Sequence, residues 1–241
     1  MRLIVVDNYE EMSKKAASIM ASQIILKPES ILGLATGSTP LGMYKELIKM
    51  YNDGEVDFSQ VRTFNLDEYY GIRRDNEQSY YYYMDNNFFK YINVKEDNIN
   101  IPNGTAEDVE QECINYDKRI KESGGIDIQV LGIGVNGHIG FNEPDVNFEA
   151  QTHLVKLDKK TIESNARFFN SIEEVPVKAV SMGMKTIMNS KKIILLANGI
   201  NKADAIEKTM KGKISPEVPA SILQLHNDVT IIVDKAAASK L

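Results

Sequence analysis

The sequence predicts an α/β fold in which a parallel-rich central sheet is flanked by helices. Three observations carry this expectation. Short apolar runs alternate with amphipathic stretches along the chain. The runs are nearly continuous in Val, Ile and Leu, as strands buried on both faces require. No Pro/Ser-rich linker, internal repeat or low-complexity tract breaks the alternation, so residues 1–241 are expected to form a single domain. With 43% hydrophobic residues, a chain of 241 can bury a core without disulfide or metal staples.

The first strand is RLIVVD, Arg2–Asp7, and the helix after it carries a stripe of Met12, Ala16, Ile19 and Met20. ILGLA, Ile31–Ala35, is the second strand. Pro40 suits the first turn of the next helix, and a Ser or Thr before it suits the cap. Met43, Tyr44, Leu47 and Ile48 give that helix its apolar face. VRTFNLD, Val61–Asp67, is the third strand. Tyr80–Tyr83 reads as a helix with rings facing the core and room for one ring near a ligand. Val109, Cys113, Tyr116 and Ile120 share one face of a helix that Gly124 can end. The remaining expected strands are IDIQVLGIG (Ile126–Gly134), KAVSMG (Lys178–Gly183), KKIILLAN (Lys191–Asn198) and DVTIIVD (Asp228–Asp234).

Composition excludes several classes. A net charge of -6 argues against nucleic-acid and anionic-membrane partners, which need a basic surface. No segment approaches the roughly 18 apolar residues of a membrane helix, and the apolar run at the start is too short for a signal peptide. The lone cysteine, Cys113, leaves no internal disulfide, which fits a reducing cytoplasm. Ser239-Lys240-Leu241 matches a peroxisomal address, but so short a match arises easily by chance. His153 and His226 have no zinc-type spacing around them, so no metal is expected.

Ligands of such sheets bind beyond the carboxyl ends of strands, and three motifs sit there. Thr36-Gly37-Ser38-Thr39 joins the second strand to its helix. It reads either as an anion site, with free N–H groups at the positive end of a helix, or as a well-capped turn. It lacks the G-K-[ST] ending of a Walker loop. Asp67 and Glu68 close the third strand. A carboxylate there, shielded by Tyr69 and Tyr70, is either a general base with a raised pKa or part of a solvated turn. The third motif is GIGVNGHIGFNEP, Gly132–Pro144. It spells G-x-G-x-x-G, yet a dinucleotide site needs a helix right after the last glycine, where Pro144 is ill placed. The glycines are better read as allowing close backbone approach. His138 then becomes an acid–base candidate, with Glu143 near enough to orient it. Arg167 and Lys202 are either surface charges or cations that reach an anion at Thr36–Thr39.

Together, LATGSTP, TFNLDEYYG, GIGVNGHIGFNEP and SILQLH resemble the glucosamine-6-phosphate deaminase family over nearly the whole chain. GHIGFNEP is the specific element: 6-phosphogluconolactonases share a similar fold and the G-H-I, but not the Asn-Glu-Pro. The resemblance implies a modified Rossmann-like sheet. It also implies cofactor-independent conversion of glucosamine 6-phosphate to fructose 6-phosphate and ammonia, in amino-sugar breakdown. It assigns ring opening to His138 with Glu143, and proton transfer from the second to the first sugar carbon to Asp67. The family's phosphate contacts match Thr36, Gly37, Ser38, Thr39, Arg167 and Lys202. Asn136 stands where long members carry aspartate and a shorter branch carries asparagine. It is expected to aid ring opening by orienting His138 through hydrogen bonds. Long members are hexamers activated by N-acetylglucosamine 6-phosphate, through basic residues after the Asn-Glu-Pro and a C-terminal extension. Asp145–Leu157 holds no arginine and nothing follows Leu241, so the expectation is no such activation and a monomer or low oligomer. The rivals are a lactonase or pentose-phosphate isomerase on the same fold, a non-catalytic sugar-phosphate regulator and a Rossmann-type dehydrogenase.

Overall fold

A computed structural model describes residues 1–158, 162, 169, 171 and 174–241. The chain runs through β1 (Arg2–Val6), α1 (Tyr9–Leu26), β2 (Ile31–Leu34), α2 (Ser38–Asn52), β3 (Arg62–Asn65) and β4 (Asp67–Tyr69). It continues through α3 (Tyr80–Asn87), β5 (Ile99–Asn100), α4 (Val109–Glu122), β6 (Ile128–Gly132), β7 (His153–Lys156) and β8 (Lys178–Ser181). Last come α5 (Met184–Met188), β9 (Lys192–Ala197), α6 (Ala203–Lys211) and β10 (Val229–Asp234). Seven strands form one sheet in the order β1-β10-β9-β6-β2-β3-β5, every pairing parallel. β4, β8 and β7 form a smaller antiparallel sheet.

The apolar runs are continuous because helices cover both faces of the large sheet. In β9, Ile193 and Leu195 join one core with Tyr116, Ile120 and Ile206. The intervening Ile194 and Leu196 join the other, with Met12, Met20, Tyr44 and Leu47. Side chains alternate across a strand, so each face needs its own apolar set. Three helices start on side-chain caps. Asn8, Ser79 and Asp108 cap α1, α3 and α4 by accepting the N–H of Glu11, Tyr82 and Gln111. Gly124, at φ 98, turns the chain out of α4.

Two strand expectations need correction. Lys178–Gly183 does not join the parallel sheet; its strand, β8, lies in the small antiparallel one. The Val61–Asp67 run is broken at Leu66. Its N–H still donates to Leu34 O in the large sheet, while its carbonyl accepts from Met182 N–H in the small one. Leu66 is thus the corner between sheets, and Asp67 is the first residue past it. β5 and β7 were not expected: two and four residues carry too little pattern.

Candidate active site

The carboxyl ends of β2, β6 and β9 open onto a cavity of about 760 Å³, where a doubly wound sheet binds its ligand. Thr36–Thr39, Asp67, Asn136, His138 and Lys202 all line it. Glu143 stands behind His138, and Arg167 lies outside the described residues.

The Thr36–Thr39 turn differs from expectation in one respect. The residue before α2 is Gly37, at φ 101, and no side chain caps the helix. Neither Ser nor Thr takes the cap, so the first amides of α2 stay available to a ligand at the positive end of the helix. Thr39 Oγ1 reaches Asn198 Oδ1 at 3.3 Å. Lys202 Nζ donates to Ile133 O at 2.7 Å. The turn before it is pinned by Asp234, whose carboxylate accepts the Gly199 N–H.

Asp67 and Glu68 face opposite ways, as neighbours in a strand must. Asp67 and Tyr69 look into the cavity, whereas Tyr70 does not line it; of the two expected shielding rings only Tyr69 serves. Burial, then the neighbouring Glu68 charge, push the Asp67 carboxyl up to about 8 from 3.8. Glu68 caps the start of α3, accepting the N–H of Tyr80 and Tyr81 at 2.8 and 3.0 Å and its neighbour Tyr69 N–H at 2.9 Å. Burial raises it to about 7, against those three bonds.

The glycine-rich loop is built around the imidazole. A Cβ on Gly134 would fall 2.5–2.6 Å from three atoms of the His138 ring. Gly137 and Gly140 take φ 88 and 57, a region costly for other residues. No helix opens between β6 and β7, so the geometry of a dinucleotide fingerprint is not formed. His138 Nδ1 lies 2.9 Å from Glu143 Oε2. The ring is therefore held in the tautomer that donates from Nδ1 and leaves Nε2 free to exchange protons. Asn136 hydrogen-bonds the backbone of His138 and the carboxylate beside it. Its Nδ2 donates to Glu143 Oε2 at 2.7 Å, and its Oδ1 accepts the His138 backbone N–H at 3.2 Å. It braces the orienting carboxylate rather than the ring. The following residues clamp the loop to the small sheet: Phe141 N–H donates to Ser181 Oγ, and Asn142 Nδ2 to Met182 O.

Sequence reasoning missed the aromatic wall. Tyr80, Tyr82 and Tyr83 all line the cavity, where only one ring was allowed for. Tyr80 and Tyr83 are half-buried and also pack against core clusters, so their rings serve the site and the core together. Tyr80 stacks on Phe141 with centroids 6.0 Å apart, and its ring lies 4.6 Å from that of Tyr69. Asn198 and Asn201 also line the cavity; nothing in their local sequence marked them. Among the described residues no cluster of three or more His, Cys, Asp or Glu is placed to hold a metal.

Comparison with known proteins bears on this geometry. Residues 7–232 match the family described as glucosamine-6-phosphate isomerases/6-phosphogluconolactonase. A glucosamine-6-phosphate deaminase of Clostridium acetobutylicum is 70% identical over 241 residues, covering 100% of both chains. One of Clostridium botulinum (strain Kyoto / Type A2) is 67% identical, covering 100% of this chain and 99% of its own. A solved structure of a monomeric glucosamine-6-phosphate deaminase superposes with a TM-score of 0.98 at 47% identity, covering 100% of each chain. The 6-phosphogluconolactonase of Trypanosoma cruzi superposes with a TM-score of 0.78 at 19% identity, covering 100% of this chain and 96% of that one. That last likeness is one of fold alone.

Proposed function

The chain belongs to the family of glucosamine-6-phosphate isomerases and 6-phosphogluconolactonases, and from that premise we infer that it converts glucosamine 6-phosphate to fructose 6-phosphate and ammonia. The observation that carries the mechanism is the shared cavity. A buried carboxylate, Asp67, and an oriented imidazole, His138, open onto the same space as an uncapped helix N-terminus and a lysine. Residues 1–241 are proposed to act as one catalytic domain, since both sheets supply walls of that space.

The 6-phosphate binds the amides and hydroxyls of Thr36, Gly37, Ser38 and Thr39, with Lys202 and Arg167 as its cations. His138 Nε2 takes the proton of the anomeric hydroxyl and delivers it to the ring oxygen, opening the ring. Glu143 stabilises the transient imidazolium, and Asn136 holds Glu143 in place. Asp67 then removes the proton from the second carbon and returns it to the first. The first carbon is reduced as the second is oxidised, so the two-electron shift is internal. Water adds to the resulting imine at the second carbon, and ammonia leaves. An ordinary exposed carboxylate is too weak a base for this. Burial at 6% exposure raises the basicity of Asp67.

Two finer points are part of the proposal. A monomer is supported by the 47% identical monomeric deaminase. A cytoplasmic location is supported by the lone, buried Cys113. Among the described residues no helix is long and apolar enough to cross a membrane.

The test is release of ammonia and fructose 6-phosphate from glucosamine 6-phosphate without added cofactor, beside Asp67→Asn and His138→Gln. Stoichiometric products from the native protein, lost in both variants, are expected. Sugar-phosphate binding without turnover would overturn the reading and direct the next assay to 6-phosphogluconolactone.

A further inference from the structure

We propose that Tyr9 and Tyr83 are positioning residues that set the phosphate turn for its ligand; this rests on the reading of Thr36–Thr39 as the phosphate site. A turn that binds an anion must aim its N–H groups inward and keep its carbonyls out, because an inward carbonyl repels the phosphate. Carbonyls of this turn and of the residue before it are bound by tyrosine hydroxyls of three different helices. Tyr83 Oη of α3 donates to Gly37 O at 2.7 Å. Tyr9 Oη of α1 donates to Ser38 O at 2.8 Å and accepts the Gly42 N–H at 2.7 Å. Tyr44 Oη of α2 donates to Ala35 O at 2.7 Å.

The tethers matter because of Gly37. At φ 101 with no Cβ, it lets the peptide planes on either side rotate at little steric cost. No side-chain cap fixes the start of α2 in their place. Tyr44 is fully buried, and its hydroxyl also accepts the Ala35 N–H, so its loss would damage the core. Tyr9 and Tyr83 are half-buried and pack their rings against the same core. A phenylalanine keeps that packing and removes only the tether. The two residues reach the turn from separate helices, so their effects on it are separable from the integrity of either helix.

The experiment is steady-state kinetics of Tyr9→Phe, Tyr83→Phe and the double variant, with inorganic phosphate as competitive inhibitor. Each single variant is expected to raise KM and the phosphate inhibition constant together, by about three- to tenfold, the order of one lost hydrogen bond. The double variant compounds the effect, while kcat stays within about twofold because the groups that move protons are untouched. Gly37→Ala and Lys202→Gln separate this proposal from the reading beneath it. If those two leave phosphate inhibition unchanged, the phosphate is not held here and the proposed function loses its binding site. If they weaken it while both phenylalanine variants keep native KM and inhibition, the positioning role alone is overturned. A fall in kcat with native KM overturns it equally.

Discussion

Replacing Asp67 by asparagine is expected to abolish turnover and, above neutral pH, to stabilise the fold. The side chain is isosteric and loses only its charge. Burial first, and Glu68 second, raise the Asp67 carboxyl to about 8 from 3.8. A carboxyl raised in this way binds its proton more tightly folded than unfolded. Its contribution to stability is therefore full below about pH 4 and is lost as the pH rises through about 8. Above that, the native protein holds a buried charge that the variant lacks. A gap of about four pH units at about 1.4 kcal/mol each bounds the cost near 6 kcal/mol. Water in the open cavity screens the charge, so about 2 kcal/mol is the working expectation. For a chain of this size that is a rise in Tm of roughly 4–8 °C at about pH 8.5. At about pH 4 both folded proteins carry a neutral side chain, and their melts should coincide. Calorimetric melts at the two pH values measure the difference. A variant melting no higher than the native protein at the higher pH, or showing the same gain at both, would refute the account of Asp67 as a carboxyl held at the cost of stability.

Four further outcomes are expected. Glu68→Gln removes the smaller cause of the Asp67 elevation and leaves burial, so the acid limb of kcat/KM moves down by about one pH unit; an unmoved limb rules out electrostatic coupling between the two. Gly134→Ala drives a Cβ into the His138 ring and is expected to cut kcat by about a hundredfold. Native kcat in that variant would mean the ring need not sit where it does. Asn136→Ala leaves Glu143 without its 2.7 Å donor, and kcat is expected to fall about tenfold with a changed pH profile; unchanged turnover and profile would sink its bracing role. Initial rates are expected to be hyperbolic and indifferent to N-acetylglucosamine 6-phosphate, and sigmoidal rates abolished by that ligand would refute this.

The middle of the large sheet was legible because β2, β6, β9 and β10 are buried on both faces. In β9 and β10 the apolar run leaves no alternative partner environment. The small sheet was not legible, for the same reason. Ala179 and Val180 are fully buried, and full burial reads alike in a parallel and an antiparallel neighbour. Periodicity reports what a residue is hidden from, not which strand hides it. The break at Leu66 is invisible for a related cause: Leu66 keeps a bond to each sheet, so the run of apolar pattern passes through the corner without a signal.

The candidate site follows the same division between local and distant causes. Gly134, His138 and Glu143 lie within ten residues of one another, and their mutual geometry follows from a single loop. The Thr36–Thr39 turn was legible as a shape, but its uncapped start was not. A Ser at the head of α2 is as good a cap in sequence as Asn8 or Ser79, and what decides is the φ of Gly37. The tyrosines were misjudged because their targets are remote: Tyr83 lies 46 residues from Gly37 and Tyr9 lies 29 from Ser38. Asp67 and Glu68 are the instructive pair. As adjacent carboxylates they are equivalent in sequence until β4 is known to be a strand. Once it is, alternation alone sends Asp67 with Tyr69 toward the cavity and Glu68 toward the amides of α3. The corner at Leu66 therefore has a chemical consequence. It starts a new strand at Asp67, which gives the cavity a buried carboxyl and leaves the second carboxylate to hold the start of α3.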